Sequence, residues 1–260
     1  MSSRSLKLLL SGVRGATILF AGLLFGCGAH LPMTPMHHIS LDDARVSLAR
    51  MHAEPKTPPR PVFVAAGYLD PGFISGDIVK RLRLVTDEHA PIFSVSFFTC
   101  ANFDSCRDRL IEAIEREFPS DDPDSTIEVD IVGFSMGGLV ARHAAMPRES
   151  GKRVNVVRLF TIGTPHRGAN LASLAFFDRR AIDMRSGSDF LAQLDADLET
   201  ARYELIPYVR THDAVVGEAN AAPHGREPIL VANKAFSLSH TMAGADERII
   251  ADIARRLRGE

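Results

Sequence analysis

The chain has 260 residues, 45% hydrophobic and 24% charged, with a formal charge of −2. That length suffices for one large domain with a substantial core, and the absence of repeats or low-complexity tracts argues against a solenoid or long disorder. The slightly acidic balance supplies no electrostatic reason to bind nucleic acid.

At the N-terminus, Arg4, Lys7 and Arg14 precede an uncharged apolar run from Ala16 to Gly26. A basic stretch followed by a hydrophobic one of this length has the form of a signal peptide, too short to span a bilayer comfortably. The run closes on Leu24-Phe25-Gly26-Cys27, which resembles a bacterial lipobox. That resemblance implies removal of residues 1–26, lipidation of Cys27, and an exported protein anchored in the outer membrane or at the cell surface. A plain secretory signal, giving a secreted or periplasmic protein, and an uncleaved anchor are the alternatives. Cleavage would remove three basic and no acidic side chains, making the remainder more acidic.

Residues 27–60 read as a tether. Proline and glycine punctuate "GAHLPMTPMHH", a short helix over Leu41–Met51 starts at the cap Ser40, and "AEPKTPPRP" breaks the chain again. From Pro61 onward strand-like and helix-like segments alternate. "PVFVAA" reads as a buried strand, "SGDIVKRLRL" as a helix and "PIFSVSFF" as a strand. "DSCRDRLIEAIEREF" carries Leu110, Ile111, Ile114 and Phe118 at helical spacing. "STIEVDIVGF" is a strand with Ile127, Val129 and Ile131 on one face, "MGGLVARHAAM" a helix and "NVVRLFTIG" a strand. Residues 171–200 look mostly helical, "YELIPYVRT" and "EPILVA" supply two more strands, and "ADERIIADIARRLR" is an amphipathic closing helix. Strands separated by helices of this length imply an α/β fold over 61–260. The expected architecture is a mostly parallel central sheet with helices on both faces, and about 171–200 as a small helical cap.

Of three cysteines, Cys27 is the lipidation candidate, which leaves Cys100 and Cys106 in "CANFDSC" as an expected local disulfide in an oxidising compartment.

Within "GFSMGG" a strand runs into a helix through Ser135, flanked by Gly133 and Gly137. A Gly-x-Ser-x-Gly match alone carries little weight; its strand-to-helix setting is what a nucleophile elbow requires. At so sharp a turn, side chains two positions before and after the serine collide, hence glycine at both. The competing reading, Ser135 as a helix cap, needs no flanking glycines.

"GFSMGGLVAR" together with "TIGTPHRGA" resembles the α/β-hydrolase lipases and esterases, nearest to the bacterial triacylglycerol lipase and GPI-inositol-deacylase-like groups. The likeness extends from Pro61 to about Arg258, with only these two blocks specific. It implies a triad in the chain order serine, acid, histidine. His143, His166, His212, His224 and His240 all follow Ser135. The family position, after the last strand and before the last helix, points to His240, with His224 the main rival. "RTHDAVVG" matches the family's Asp-x-x-Val block, so Asp213 is the expected acid, with Asp178 or Asp183 promoted if it comes from the preceding loop. The oxyanion hole would use the backbone N–H groups of Met136 and Tyr68, although Ala66-Gly67 stands where the family usually has His-Gly.

The chain lacks His-Glu-x-x-His, Cys-x-x-Cys and a P-loop, so no cofactor or metal is expected, and His37-His38 reads as solvated. The expected function is hydrolysis of a small-molecule or lipid ester through a Ser-Asp-His triad. A non-catalytic surface protein of the same fold, or an acyltransferase, is the alternative. Leu174, Phe176, Phe177, Phe190 and Leu191 either line an acyl pocket or pack as ordinary helix faces.

Overall fold

The computed structural model describes residues 40–170, 178–233 and 238–260. The signal segment, Cys27, His37-His38, Leu174, Phe176 and Phe177 lie outside them.

Six strands form one sheet: β1 (Val62–Ala65), β2 (Ile92–Val95), β3 (Ser125–Phe134), β4 (Arg153–Ile162), β5 (Glu204–Arg210) and β6 (Ile229–Val231). Their spatial order is β2-β1-β3-β4-β5-β6, and every pairing is parallel. Among the described residues, seven α-helices connect and cover them: α1 (Leu41–Ala53), α2 (Phe73–Val85), α3 (Phe103–Glu117), α4 (Met136–Ala145), α5 (Arg179–Asp183), α6 (Asp189–Leu198) and α7 (Glu247–Leu257). Within the described residues each expected strand and helix has its counterpart, while 171–177 of the expected helical stretch lie outside them. The strand over "PIFSVSFF" stops at Val95, because Phe97 and Phe98 leave the ladder.

An all-parallel sheet buries both faces, and alternating side chains fill them. Phe63, Ala65, Val129 and Ile131 pack with α3, α4 and α6 through Leu110, Ile114, Leu139 and Leu194. Val62, Val64, Val132 and Phe160 pack on the other side against α1, α2 and α7. Each buried valine, leucine, isoleucine or phenylalanine among them contributes roughly 1.5–3 kcal/mol relative to exposure.

Three buried ionic devices fasten the layers. Arg258, at the end of α7, donates to the Met51 and Val85 carbonyls at the last turns of α1 and α2. Asp130 accepts from Arg60 and Arg158 beneath the sheet. Asp252 of α7 accepts from the Tyr208 hydroxyl at 2.7 Å, and from Arg255 and Arg256. Burial alone would raise the Asp252 carboxyl, but these donors outweigh it and hold the group at about 2.

The sequence positions the site topologically. β1 leads through α2 to β2 on one side; the chain then crosses back through α3 to β3 on the other. Loops after β1 and β3 therefore diverge at their carboxyl ends, where α/β sheets bind ligands. Ala65 stands level with Gly133 at this switch point.

One expectation is corrected. Cys100 and Cys106 are free thiols, both buried, and the Cys100 thiol points at the Ser105 carbonyl, 3.6 Å away. Burial, then the neighbouring Cys100, raises the Cys106 thiol, so the reactive thiolate is suppressed. Thiol titration of denatured, unreduced protein should find both cysteines free.

A depressed folded-state carboxyl stabilises above its unfolded value near 4, and that stabilisation is lost as pH falls through about 2. Asp252→Asn should therefore lower stability at neutral pH by roughly 2 kcal/mol, since each tenfold difference in proton affinity between the folded and unfolded chain is worth about 1.4 kcal/mol. Urea melts at descending pH should show the gap to the wild type narrowing between about 4 and 2.

Candidate active site

Ser135 joins β3 to α4 with φ 52° and ψ −123°, a conformation L-residues rarely adopt. Its side chain makes no capping bond to the helix, which removes the capping reading. The turn is held by crowding. A Cβ on Gly133 would lie 2.4 Å from the Gly138 Cα, and one on Gly137 would lie 2.1 Å from the Ala65 carbonyl oxygen. Two hydrogen bonds tie the serine backbone to the β4 end. The Ser135 N–H donates to the Ile162 carbonyl, and the Thr164 hydroxyl donates to the Ser135 carbonyl, both at 2.8 Å. Thr164 occupies the space that a side chain at Gly138 would need, with Oγ1 only 2.2 Å from such a Cβ.

The structure brings Asp213, His240 and Ser135 together in one chain of hydrogen bonds. His240 Nδ1 lies 2.8 Å from Asp213 Oδ2, and Nε2 lies 3.0 Å from Ser135 Oγ. The Asp213 carboxylate is fully buried, and its other oxygen accepts the Val215 and Val216 N–H groups at 3.0 Å each. A carboxylate accepts only, so Nδ1 carries the proton and Nε2 is left to accept from the serine hydroxyl. Gly163, at φ 57°, makes room: a Cβ there would sit 3.1 Å from His240 Nδ1 and 3.3 Å from Asp213 Oδ2. The histidine loop is pinned by the Ser239 hydroxyl, which donates to the Thr211 carbonyl at 2.8 Å.

The other candidates stand elsewhere. His143 faces Asp104 on α3, and burial lowers its proton affinity. His166 is wholly buried between the Arg142 guanidinium and the Thr161 hydroxyl, 3.0 Å from each. Burial, then the Arg142 charge, drives it well below the usual histidine range. His212 and His224 are exposed. Asp178 accepts from Arg180 and from the Tyr68 hydroxyl, and these hold it at about 2. Asp183 pairs with Arg179.

The loop after β1 crosses the serine closely, since a Cβ on Gly67 would meet the Phe134 ring at 2.9 Å and the Ser135 Cβ at 3.3 Å. Among the described residues, the Tyr68 and Met136 N–H groups have no acceptor. The loop's shape is set by Asp70, whose carboxylate accepts the N–H groups of Gly72, Ile74 and Ser75. Burial opposes ionisation of Asp70, yet these amides carry its carboxyl below the usual range. The Tyr68 side chain is clamped by Asp178 and by Arg180, whose guanidinium lies 5.0 Å from the ring and also donates to the Phe97 carbonyl. Of the candidate acyl-pocket residues within the described chain, Phe190 stacks on Phe103 at 4.1 Å and Leu191 is buried in the core.

Sequence reasoning missed Gly138, Thr164, Gly163, Asp70 and Arg180. The glycine doublet and the Gly-Thr-Pro-His block carried a visible signal for the first three. Asp70 and Arg180 act through loop closure, which spacing does not display. Among the described residues no cluster of three or more His, Cys, Asp or Glu side chains converges to hold a metal ion.

Comparison with known proteins follows the same lines. The PGAP1-like alpha/beta domain family model matches residues 104–186, roughly a third of the chain, which includes Ser135 and Thr164 but ends before Asp213 and His240. The structure is similar to the mature lipase BlEst2 of Bacillus licheniformis, with TM-score 0.55, 15% identity, and 78% of this chain and 94% of that one covered. It is also similar to phospholipase PlaB of Legionella pneumophila, with TM-score 0.54, 13% identity, and 76% of this chain but 60% of that one covered. No curated protein matches the sequence. The chain has the α/β-hydrolase fold of lipases and esterases.

Gly137→Ala should cost about 3 kcal/mol in a urea melt, because its new methyl meets backbone that cannot move aside. Histidine ¹⁵N NMR should show His166 staying neutral as pH falls from 7 to about 5, where exposed histidines protonate. The unfolded chain takes up that proton first, so this group's contribution to stability falls as pH drops below about 6.5.

Proposed function

We propose that the protein is a serine hydrolase of carboxylic esters, with Ser135 as nucleophile, His240 as general base and acid, and Asp213 as the orienting acid. The observation that carries this is the unbroken relay from buried Asp213 through His240 to a serine held at a strained turn. Ser135 Oγ attacks the ester carbonyl as His240 Nε2 takes its proton, and the carbonyl electrons move onto oxygen. The Met136 and Tyr68 N–H groups are the donors assigned to that oxyanion. Collapse of the intermediate breaks the carbon–oxygen bond to the alcohol, which leaves with the proton from His240. Water, deprotonated by His240, then attacks the acyl-enzyme, and its breakdown releases the acid and restores Ser135.

The lipase and phospholipase likenesses support a lipid or smaller acyl ester as substrate. α6 is short and spends Phe190 and Leu191 on core packing, which supports a small cap and a preference for short or medium acyl chains. The basic and apolar N-terminal segment supports export, with Cys27 as a lipid anchor.

With p-nitrophenyl butyrate, Ser135→Ala and His240→Ala, each folded, should lose about 10⁴-fold or more in kcat, and Asp213→Ala about 10²–10⁴-fold. Wild-type protein inert across a range of esters would sink the hydrolase reading. A chain-length series should peak at short or medium acyl groups; a maximum at long triglycerides would reverse that preference.

A further inference from the structure

Five of the eight large apolar side chains that stand exposed among the described residues lie in loops, turns or helix starts that follow the carboxyl ends of strands: Leu69, Phe73, Phe98, Leu238 and Met242. Phe73 is 82% exposed and Leu238 74%; what counts is several such side chains on adjoining loops. These loops are linked to one another. The Ser96 hydroxyl, just before Phe98, donates to the Asp70 carbonyl, next to Leu69. The turn after His240, which carries Met242, packs through Gly244 onto Ile74 and Ile78 of α2, whose first residue is Phe73. Leu69 follows Tyr68 in the loop that crosses Ser135, and Met242 lies two residues after His240, so this apolar edge borders the candidate site.

A second observation fixes what this rim meets. Leu41, at the start of α1, lines an open groove of about 720 Å³ together with Ala232, Met242 and Ala245. The described chain begins at Ser40, beside that groove, and the 39 residues that precede it in sequence carry the basic residues and the apolar run Ala16–Gly26. The four arginines of that groove are paired, Arg45 with Glu247, Arg81 with Asp77, and Arg210 and Arg248 both with Asp246, which leaves apolar contact to drive docking.

We propose that this rim is a bilayer-docking face, so that the N-terminal segment and the mouth above Ser135 engage the same membrane and substrate enters from lipid. The proposal rests on the ester-hydrolase reading for its purpose. Its test needs no turnover.

The chain contains no tryptophan, so one introduced residue reports alone. The full chain carrying Ser135→Ala would bear Phe73→Trp, Met242→Trp or Leu84→Trp. Leu84 is exposed at the far end of α2, about 16 Å from Phe73 along the helix. On phosphatidylcholine vesicles with brominated acyl chains, Phe73→Trp and Met242→Trp should shift to the blue and lose roughly half their emission, at low and high salt alike. Leu84→Trp should change in neither respect. Unquenched rim tryptophans, or equal quenching at Leu84→Trp, would overturn the proposal. So would a blue shift without vesicles that tracks protein concentration, which assigns the rim to a second copy. Rim quenching beside an inert wild type would leave the docking face standing and remove the hydrolase reading; an active wild type with no quenching would do the reverse.

Discussion

The architecture depends on one crowded turn. Ser135 keeps a positive φ only because the backbone around it leaves no relaxed alternative: Gly133 lies against Gly138, Gly137 against the Ala65 carbonyl, and Thr164 grips the serine carbonyl. That crowding requires β1, β3 and β4 to be adjacent and in register, because each contributes one wall. The strain is confined to one residue and is opposed by the burial of an entire sheet. What the fold obtains is a hydroxyl held at a set position beside His240.

Much of this was legible in the sequence because it is local. A continuous apolar run at Val62–Ala65 and apolar residues at alternate positions within Ser125–Phe134 announce buried strands, helical spacing at Leu110, Ile114 and Phe118 announces α3, and glycines around a serine announce the turn. Asp213 and His240 were reachable only through family resemblance, since nothing in the spacing of two residues 27 apart says that they touch. What stayed hidden acts at long range. Asp70 looks like any loop aspartate until three amides converge on it, and Arg180 becomes a clamp only when α5 folds beside Tyr68 and Phe97. The cysteine pair was read from even number and proximity alone; in the structure both stand as buried free thiols at the start of α3.

Buried polar groups divide into two kinds of work. Arg142 and His166 lie behind the elbow helix, where Arg142 reaches the Leu194 carbonyl and Asp195 and so ties α6 to α4. Arg258, Asp130 and Asp252 do the corresponding work on the opposite face, where they join helix ends and strands that apolar packing alone would leave free to slide. Neither set touches Ser135. They hold stationary the loops that do, and a relay with bonds near 3 Å tolerates little displacement of those loops.

The three groups of that relay come from widely separated parts of the chain. Ser135 and His240 are 105 positions apart, and the imidazole arrives after the last strand has been added to the sheet. A polypeptide synthesised from its N-terminus completes the elbow long before it possesses a base to activate it. On the hydrolase reading proposed above, Ser135 therefore waits for its base until β6 has joined the sheet and the loop carrying His240 has closed over the elbow.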